Sequence, residues 1–236
     1  MKPSDFQRQF SLGGVGTPAE PFGPRVEKVR RIFAESKAKS ILDIGCANAG
    51  ILKSLASTRE LHGVDISEAL VKMANANGMK ALLHDVESGS LPYPKDTFDA
   101  VFCGETIEHQ VDTDWLLSEI NRVLKPGGVV VLTFPNVRTV LGILMLTFFN
   151  IPPMYAARYR ASHVRDFTLK TVKMALEKNG FAFERAVGTA FYFPKIGEFG
   201  QGIAEWFPGW SHTTIVMAAK KTDAVYPPAD LTDLIY

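Results

Sequence analysis

The chain has 236 residues, 46% of them hydrophobic and 22% charged, with 26 basic against 25 acidic side chains. That is the composition of an ordinary globular protein with enough apolar mass for one α/β core. The balanced charge argues against a general polyanion-binding surface, so nucleic acid is not an expected partner. Cys46 and Cys103 are the only cysteines; they form no CxxC pair, which argues against a disulfide framework or a structural zinc site and fits a reducing, cytoplasmic setting.

Residues 1–23, with Pro3, Pro18 and Pro21, read as an irregular arm without the charged head and apolar run of a signal peptide. From Pro24 onward, Val26, Val29, Ile32 and Phe33 recur at helical spacing. Ser40-Ile-Leu-Asp-Ile-Gly45 reads as a buried strand, Ala49–Ser57 as a helix and Leu61–Asp65 as a second strand. Ser67 stands at an N-cap position, with Glu68 in the first turn of a helix reaching about Asn77. Lys80–His84 is a third strand, and Phe98–Cys103, after the turn-rich 92–97, is a fourth. Asp112–Leu124 is a helix that Pro126-Gly-Gly128 stops, and Val129–Phe134 is a wholly apolar strand.

The stretch from Pro135 to Arg165 exceeds ordinary loop length, so it is expected to cover a site or to carry its own helix. Within it, Val140–Ile151 is apolar but far short of the roughly 20 residues a spanning helix needs, and reads as a buried or interfacial segment. Thr168–Asn179 is a helix closed by Gly180. Phe181–Val187 and Thr213–Ala219 are the last strands, and Pro227-Pro228 marks a tail. Between those strands, the aromatic- and glycine-rich residues 191–210 suit a loop over a cleft, a local aromatic core or a homodimer contact. The expected organisation is an arm (1–23), one domain (24–221) with a lid-like insertion at about 136–165, and a tail (222–236). Alternating strands and helices predict an α/β fold with a mainly parallel sheet covered on both faces.

Ligands of open α/β sheets bind at the carboxyl ends of the strands. Asp43, Asp65 and Asp85 stand at three such ends. Gly45, Ala47 and Ala49 are small enough for a ligand to approach the backbone closely, and alanine suits those turns if φ stays negative. An acidic residue at the second strand end accepts from ribose hydroxyls, and Asp85 is placed to meet an adenine amino group.

Leu42-Asp-Ile-Gly-Cys-Ala-Asn-Ala-Gly50 resembles the first motif of class I S-adenosylmethionine-dependent methyltransferases. Gly63-Val-Asp-Ile-Ser67 looks like their ribose motif. Residues 91–99, Glu105-Thr-Ile-Glu-His109 and Arg122-Val-Leu-Lys-Pro-Gly-Gly128 are similar to later blocks in the same order. The resemblance implies a Rossmann-like seven-stranded sheet with its last strand antiparallel. It also implies S-adenosylmethionine as cofactor, held by Asp43, Gly45, Cys46, Ala47, Asp65, Ile66, Asp85, Val86 and Gly104. The family usually has glycine where Ala47 and Ala49 stand.

Glu105, Glu108 and His109 follow the fourth strand, and His163 lies downstream. Two carboxylates and two imidazoles match a divalent site for Mg2+ or another metal, which acts as a Lewis acid on an acceptor hydroxyl. Either His109 or His163 also suits a catalytic base; the plain structural alternative is a bracing role for both. Glu-x-x-Glu-His with a later histidine resembles metal-assisted O-methyltransferases acting on ubiquinone precursors or on small-RNA ends. The expected acceptor is a hydroxyl on a small molecule, lipid or glycan. The alternatives are a nitrogen or RNA acceptor, and a non-catalytic partner of a biosynthetic enzyme. The apolar segment with Tyr155, Arg158, Tyr159 and Arg160 suits a cover for a greasy or glycosylated substrate, or a peripheral membrane contact. His62, His84 and His212 read as structural.

Overall fold

The computed structural model describes residues 23–151, 163–193, 195–224 and 226. The leading arm, Tyr155, Arg158, Tyr159, Arg160 and most of the tail lie outside them. A seven-stranded sheet runs β3(Lys80–Leu83)-β2(Glu60–Asp65)-β1(Ser40–Ile44)-β4(Phe98–Gly104)-β5(Leu124–Pro135)-β9(Thr213–Lys220)-β6(Phe181–Gly188). The first five strands pair in parallel, and β9 lies antiparallel to both of its neighbours. A small hairpin, β7(Phe191–Phe193) with β8(Gly197–Phe199), stands apart.

Strand alternation divides the apolar residues between two cores. Leu42, Ile44, Val101, Cys103, Val130, Leu132, Val216 and Ala218 point to one face. Ile41, Ala100, Phe102, Val131, Ile215 and Met217 point to the other. A strand with apolar side chains on both faces is stable only with cover on both sides. Helices α3(Thr113–Val123) and α5(Leu169–Lys178) cover the first face through Leu116, Ile120, Val172 and Leu176. Helices α1(Pro24–Glu35) and α2(Glu68–Ala76) cover the second through Val29, Phe33, Val71 and Ala74. The chain reverses its winding direction at β1, which has β2 on one side and β4 on the other. That switch point opens a crevice at the carboxyl ends of these strands.

Several local expectations are corrected. Ala49–Ser57 is not an α-helix but a series of turns around one short 3-10 segment, Lys53–Leu55. Ala49 enters it in the left-handed region (φ 62°), which cannot start a right-handed helix. Pro126-Gly-Gly128 does not separate helix from strand. α3 ends at Val123, and β5 begins at once, with residues 125–128 absorbed where pairing jumps from Leu124 opposite Phe98 to Val129 opposite Ala100. Ser67 occupies the N-cap of α2 without a side-chain cap bond. The stretch after Pro135 does carry a helix, α4(Val140–Phe149), but only Gly142 in it is buried, so the segment is not a core piece. Residues 191–210 hold the β7–β8 hairpin and helix α6(Gln201–Trp206) rather than a plain loop.

Candidate active site

A cavity of about 260 Å³ opens at the switch point. Gly45, Asp65, Ile66, Asp85, Val86 and Gly104 of the expected binding set line it. Asp43, Cys46 and Ala47 do not: Asp43 and Cys46 are buried beneath, and Ala47 serves through its backbone. The Ala47 and Ser67 amides donate to the two carboxylate oxygens of Asp65, at 2.9 and 2.8 Å. A carboxylate accepts about four hydrogen bonds, so about two acceptor positions of Asp65 remain for a ligand. Asp85 accepts from the Glu87 amide and keeps its other oxygen. Ala47 and Ala49 both have positive φ, 46° and 62°, contrary to the expectation of negative φ. The loop therefore keeps a glycine-like path with alanines in it, at a cost in strain.

Gly45 is required by that path. Its φ is +73°, and a Cβ there would meet the Thr106 hydroxyl at 2.5 Å. The same hydroxyl donates to the Ile44 and Gly104 carbonyls and so ties β1 to β4 under the cavity floor.

The acidic and imidazole residues lie at the next step outward. Glu105 takes a left-handed φ of 51° directly after β4. Its amide donates to the Thr133 carbonyl, and the Thr133 hydroxyl donates to its carboxylate at 3.0 Å. Glu108 and His109 follow on one 3-10 turn. The Val164 and Arg165 amides both donate to the Glu108 carbonyl, and the Arg165 guanidinium donates to the Val111 carbonyl. These bonds bring His163 across the gap from the long insertion. The two imidazole rings meet edge to face at 4.8 Å, and each Nε2 lies 3.9 Å from Glu108 Oε1. The ligand atoms of Glu108, His109 and His163 all lie within 4.8 Å of one another. Glu105 is held aside by Thr133, so three of the four expected metal ligands converge.

The electrostatics of this group are set by burial. Both oxygens of Glu108 are buried without a hydrogen-bond partner. Burial, then the neighbouring Glu105 charge, pushes the Glu108 carboxyl well above the usual range. Burial raises Glu105 too, against the pull of Arg25 and the Thr133 bond. Burial, with the His109 charge second, lowers His163 to about 4, so its imidazole is neutral near pH 7.

Five lining residues lie outside the expected site set: Val64, Leu70, His84, Thr106 and Gln110. His84, which reads as structural in the sequence, lines the cavity with a buried, unpartnered Nε2. Its place at the end of β3, directly before Asp85, was the signal available.

Comparison with known proteins bears on the fold and the family. A family model described as a methyltransferase domain matches residues 42–132. The probable methyltransferase PMT5 of Arabidopsis thaliana is 37% identical over 144 residues, covering 56% of this chain and 21% of that protein. The demethylmenaquinone methyltransferase of Geobacillus stearothermophilus is 28% identical over 134 residues, 53% of this chain and 57% of that one. The chain thus spans about a fifth of one relative's length and just over half of the other's. A SAM-dependent methyltransferase of Thermotoga maritima superposes with a TM-score of 0.62 at 20% identity, covering 92% of this chain and 95% of that one, which speaks for the fold.

Proposed function

We propose that this chain is a class I S-adenosylmethionine-dependent methyltransferase that methylates an oxygen of a small molecule, lipid or glycan, a reading supported by the methyltransferase-domain match over residues 42–132. The observation that carries this reading is the pairing of the Asp65–Asp85 crevice with the imidazole of His109 in its lining and that of His163 packed against it. The donor set suits an adenosyl group: two carboxylates with spare acceptor positions sit among the apolar Val64, Ile66, Leu70 and Val86. Asp65 takes the ribose hydroxyls, Asp85 the adenine amino group, and the Asp43–Ala49 loop the methionine part. The cofactor supplies a sulfonium methyl that is already strongly electrophilic. The chain's own work is then alignment and proton removal. His163, neutral near pH 7, would accept the acceptor's hydroxyl proton, with His109 packed edge to face against it. The relative acting on demethylmenaquinone supports a small-molecule or lipid acceptor.

The orphaned Glu108 carboxylate favours a second reading of the same residues, in which Glu108, His109 and His163 hold a divalent cation. Bonds of about 2.0–2.2 Å keep ligand atoms on one ion within roughly 4.4 Å of each other, so the present spacing needs closing by a few tenths of an ångström. A cation held there would lower the pKa of the acceptor hydroxyl.

Calorimetric titration with S-adenosylmethionine tests both readings. Asp65→Ala is expected to weaken binding by ~1–3 kcal/mol, and unchanged affinity removes Asp65 from the site. Repeating the titration with added magnesium and with EDTA decides the cation: an enthalpy that ignores both leaves His163 as a plain base.

A further inference from the structure

Helix α4 is apolar all round. Val140, Ile143, Leu144, Leu146, Phe148 and Phe149 are exposed, the two phenylalanines at 73% and 69%. At roughly 100° per residue these positions point in every direction about the axis. A protein groove takes one stripe of a helix; a helix without a polar side is at home only where apolar matter surrounds it. At ten residues α4 is about 15 Å long, half a bilayer's hydrocarbon thickness. No helix among the described residues is long and apolar enough to cross a membrane.

A second apolar element adjoins it. Trp206 is 84% exposed, with Ile203 and Phe207 exposed beside it and Ile196 exposed in the preceding hairpin turn. The Arg138 guanidinium lies 4.2 Å over the Trp210 ring. Asn136 binds the His212 and Ser211 carbonyls through its amide and its side chain. These contacts join the lead into α4 to the segment that carries the tryptophans. Both leave the sheet near Thr133, the partner of Glu105, so the apolar surface flanks the crevice. Charge identifies the surface it suits. Residues 136–165 contain Arg138, Arg158, Arg160 and Arg165 and no acidic residue. Arg138 at the lead into α4, the lack of any acid in 136–151 and the tryptophans of the second element, whose Glu205 is already paired with Lys28 and Arg31, match an anionic lipid headgroup layer over acyl chains.

We propose that α4 and the 196–210 segment dock this chain on an anionic bilayer surface, with α4 dipping into the acyl layer. If the methyl-transfer reading holds, on which this step rests, the acceptor is an amphiphile that enters the crevice from the bilayer.

Flotation of the full chain with vesicles tests the docking. Wild type is expected to float with phosphatidylcholine–phosphatidylglycerol vesicles and less with phosphatidylcholine alone. F148E combined with F149E is expected to lower partitioning at least about tenfold, with thermal midpoint and S-adenosylmethionine affinity unchanged. W206E, on the other element, is expected to act in the same direction. Three results overturn the proposal: no flotation of wild type, flotation of the double variant at the wild-type level, or a solution dimer that the double variant splits while neither protein floats. The last would make a second copy the cover. Because cofactor affinity is read separately, flotation without cofactor binding leaves docking in place and removes the methyl-transfer reading.

Discussion

Asp43 lies under the Gly45 loop, where burial, and then the Asp65 charge, lifts its pKa to about 8 against the pull of Arg25. In an unfolded chain the same carboxyl titrates near 3.9. Between those values the folded protein holds a proton that the unfolded chain has released. The group's contribution to stability is therefore complete below about pH 4 and is lost as pH rises towards 8. Asp43→Asn has no proton to hold. Urea unfolding of both proteins from about pH 5 to about pH 7.5 should show the variant gaining on wild type by ~1–3 kcal/mol across the range. A difference that stays flat with pH means that Asp43 titrates normally in the fold. The residue itself was legible, since an acid closing an apolar strand is conspicuous. Its depth was not, because burial depends on α1 and the sheet neighbours. Ala47 and Ala49 were misread for a related reason. Alanine carries no mark of a left-handed backbone, and the bond that holds Ala47 there comes from Asp65, eighteen residues away.

The loop from Gly45 to Ala56 shows how an element departs from its own pattern. Ile51, Leu52 and Leu55 have helical spacing, in line with the expected helix over Ala49–Ser57. Tertiary bonds override it. Arg30 of α1 donates to the Gly50 carbonyl at 2.8 Å and to the Ile51 carbonyl at 3.0 Å, and Asn77 donates to the Asn48 carbonyl. Carbonyls taken up this way hold the chain in an open turn. Arg30→Met keeps the stem of the side chain and removes both donors. It should weaken S-adenosylmethionine binding about fivefold, near 1 kcal/mol, with far-UV circular dichroism unchanged. Calorimetry with native affinity in that variant shows that the loop holds its shape without α1. Two helix starts were legible where local bonds fix them: Asp112 caps α3 by accepting from the Trp115 amide, and Thr168 and Thr171 form a reciprocal cap on α5, whereas Ser67 begins α2 without such a bond. α4 divides the two cases, since its extent was visible in the apolar run and its exposure was not.

For the molecule as a whole, the parallel order was legible because each central strand is apolar on both faces and the β2–β3 and β4–β5 crossovers carry helices of plain period. The closing arrangement was not, because it depends on one lysine that periodicity assigns to solvent. Lys28 of α1 is buried, and its ammonium donates to the carbonyls of Gly188 (2.8 Å), Thr189 (3.0 Å) and Gln201 (3.0 Å) and pairs with Glu205 at 3.0 Å. These partners lie some 160–177 residues away along the chain. The lysine therefore fastens the first helix to the end of β6 and to α6, and so to the apolar segment beside the crevice. Burying an ammonium is costly, and four oxygen partners offset that cost. Lys28→Met retains the apolar stem and leaves the three carbonyls without their charged donor. It should cost ~2–4 kcal/mol of stability. Hydrogen exchange should rise first in 24–35 and 201–206 while β1 and β4 stay protected, because their packing does not involve Lys28. Exchange that rises equally in all strands would mean that Lys28 supports the sheet as a whole. Loss confined to the two helices would mark a latch that can open at the crevice edge without unfolding the domain.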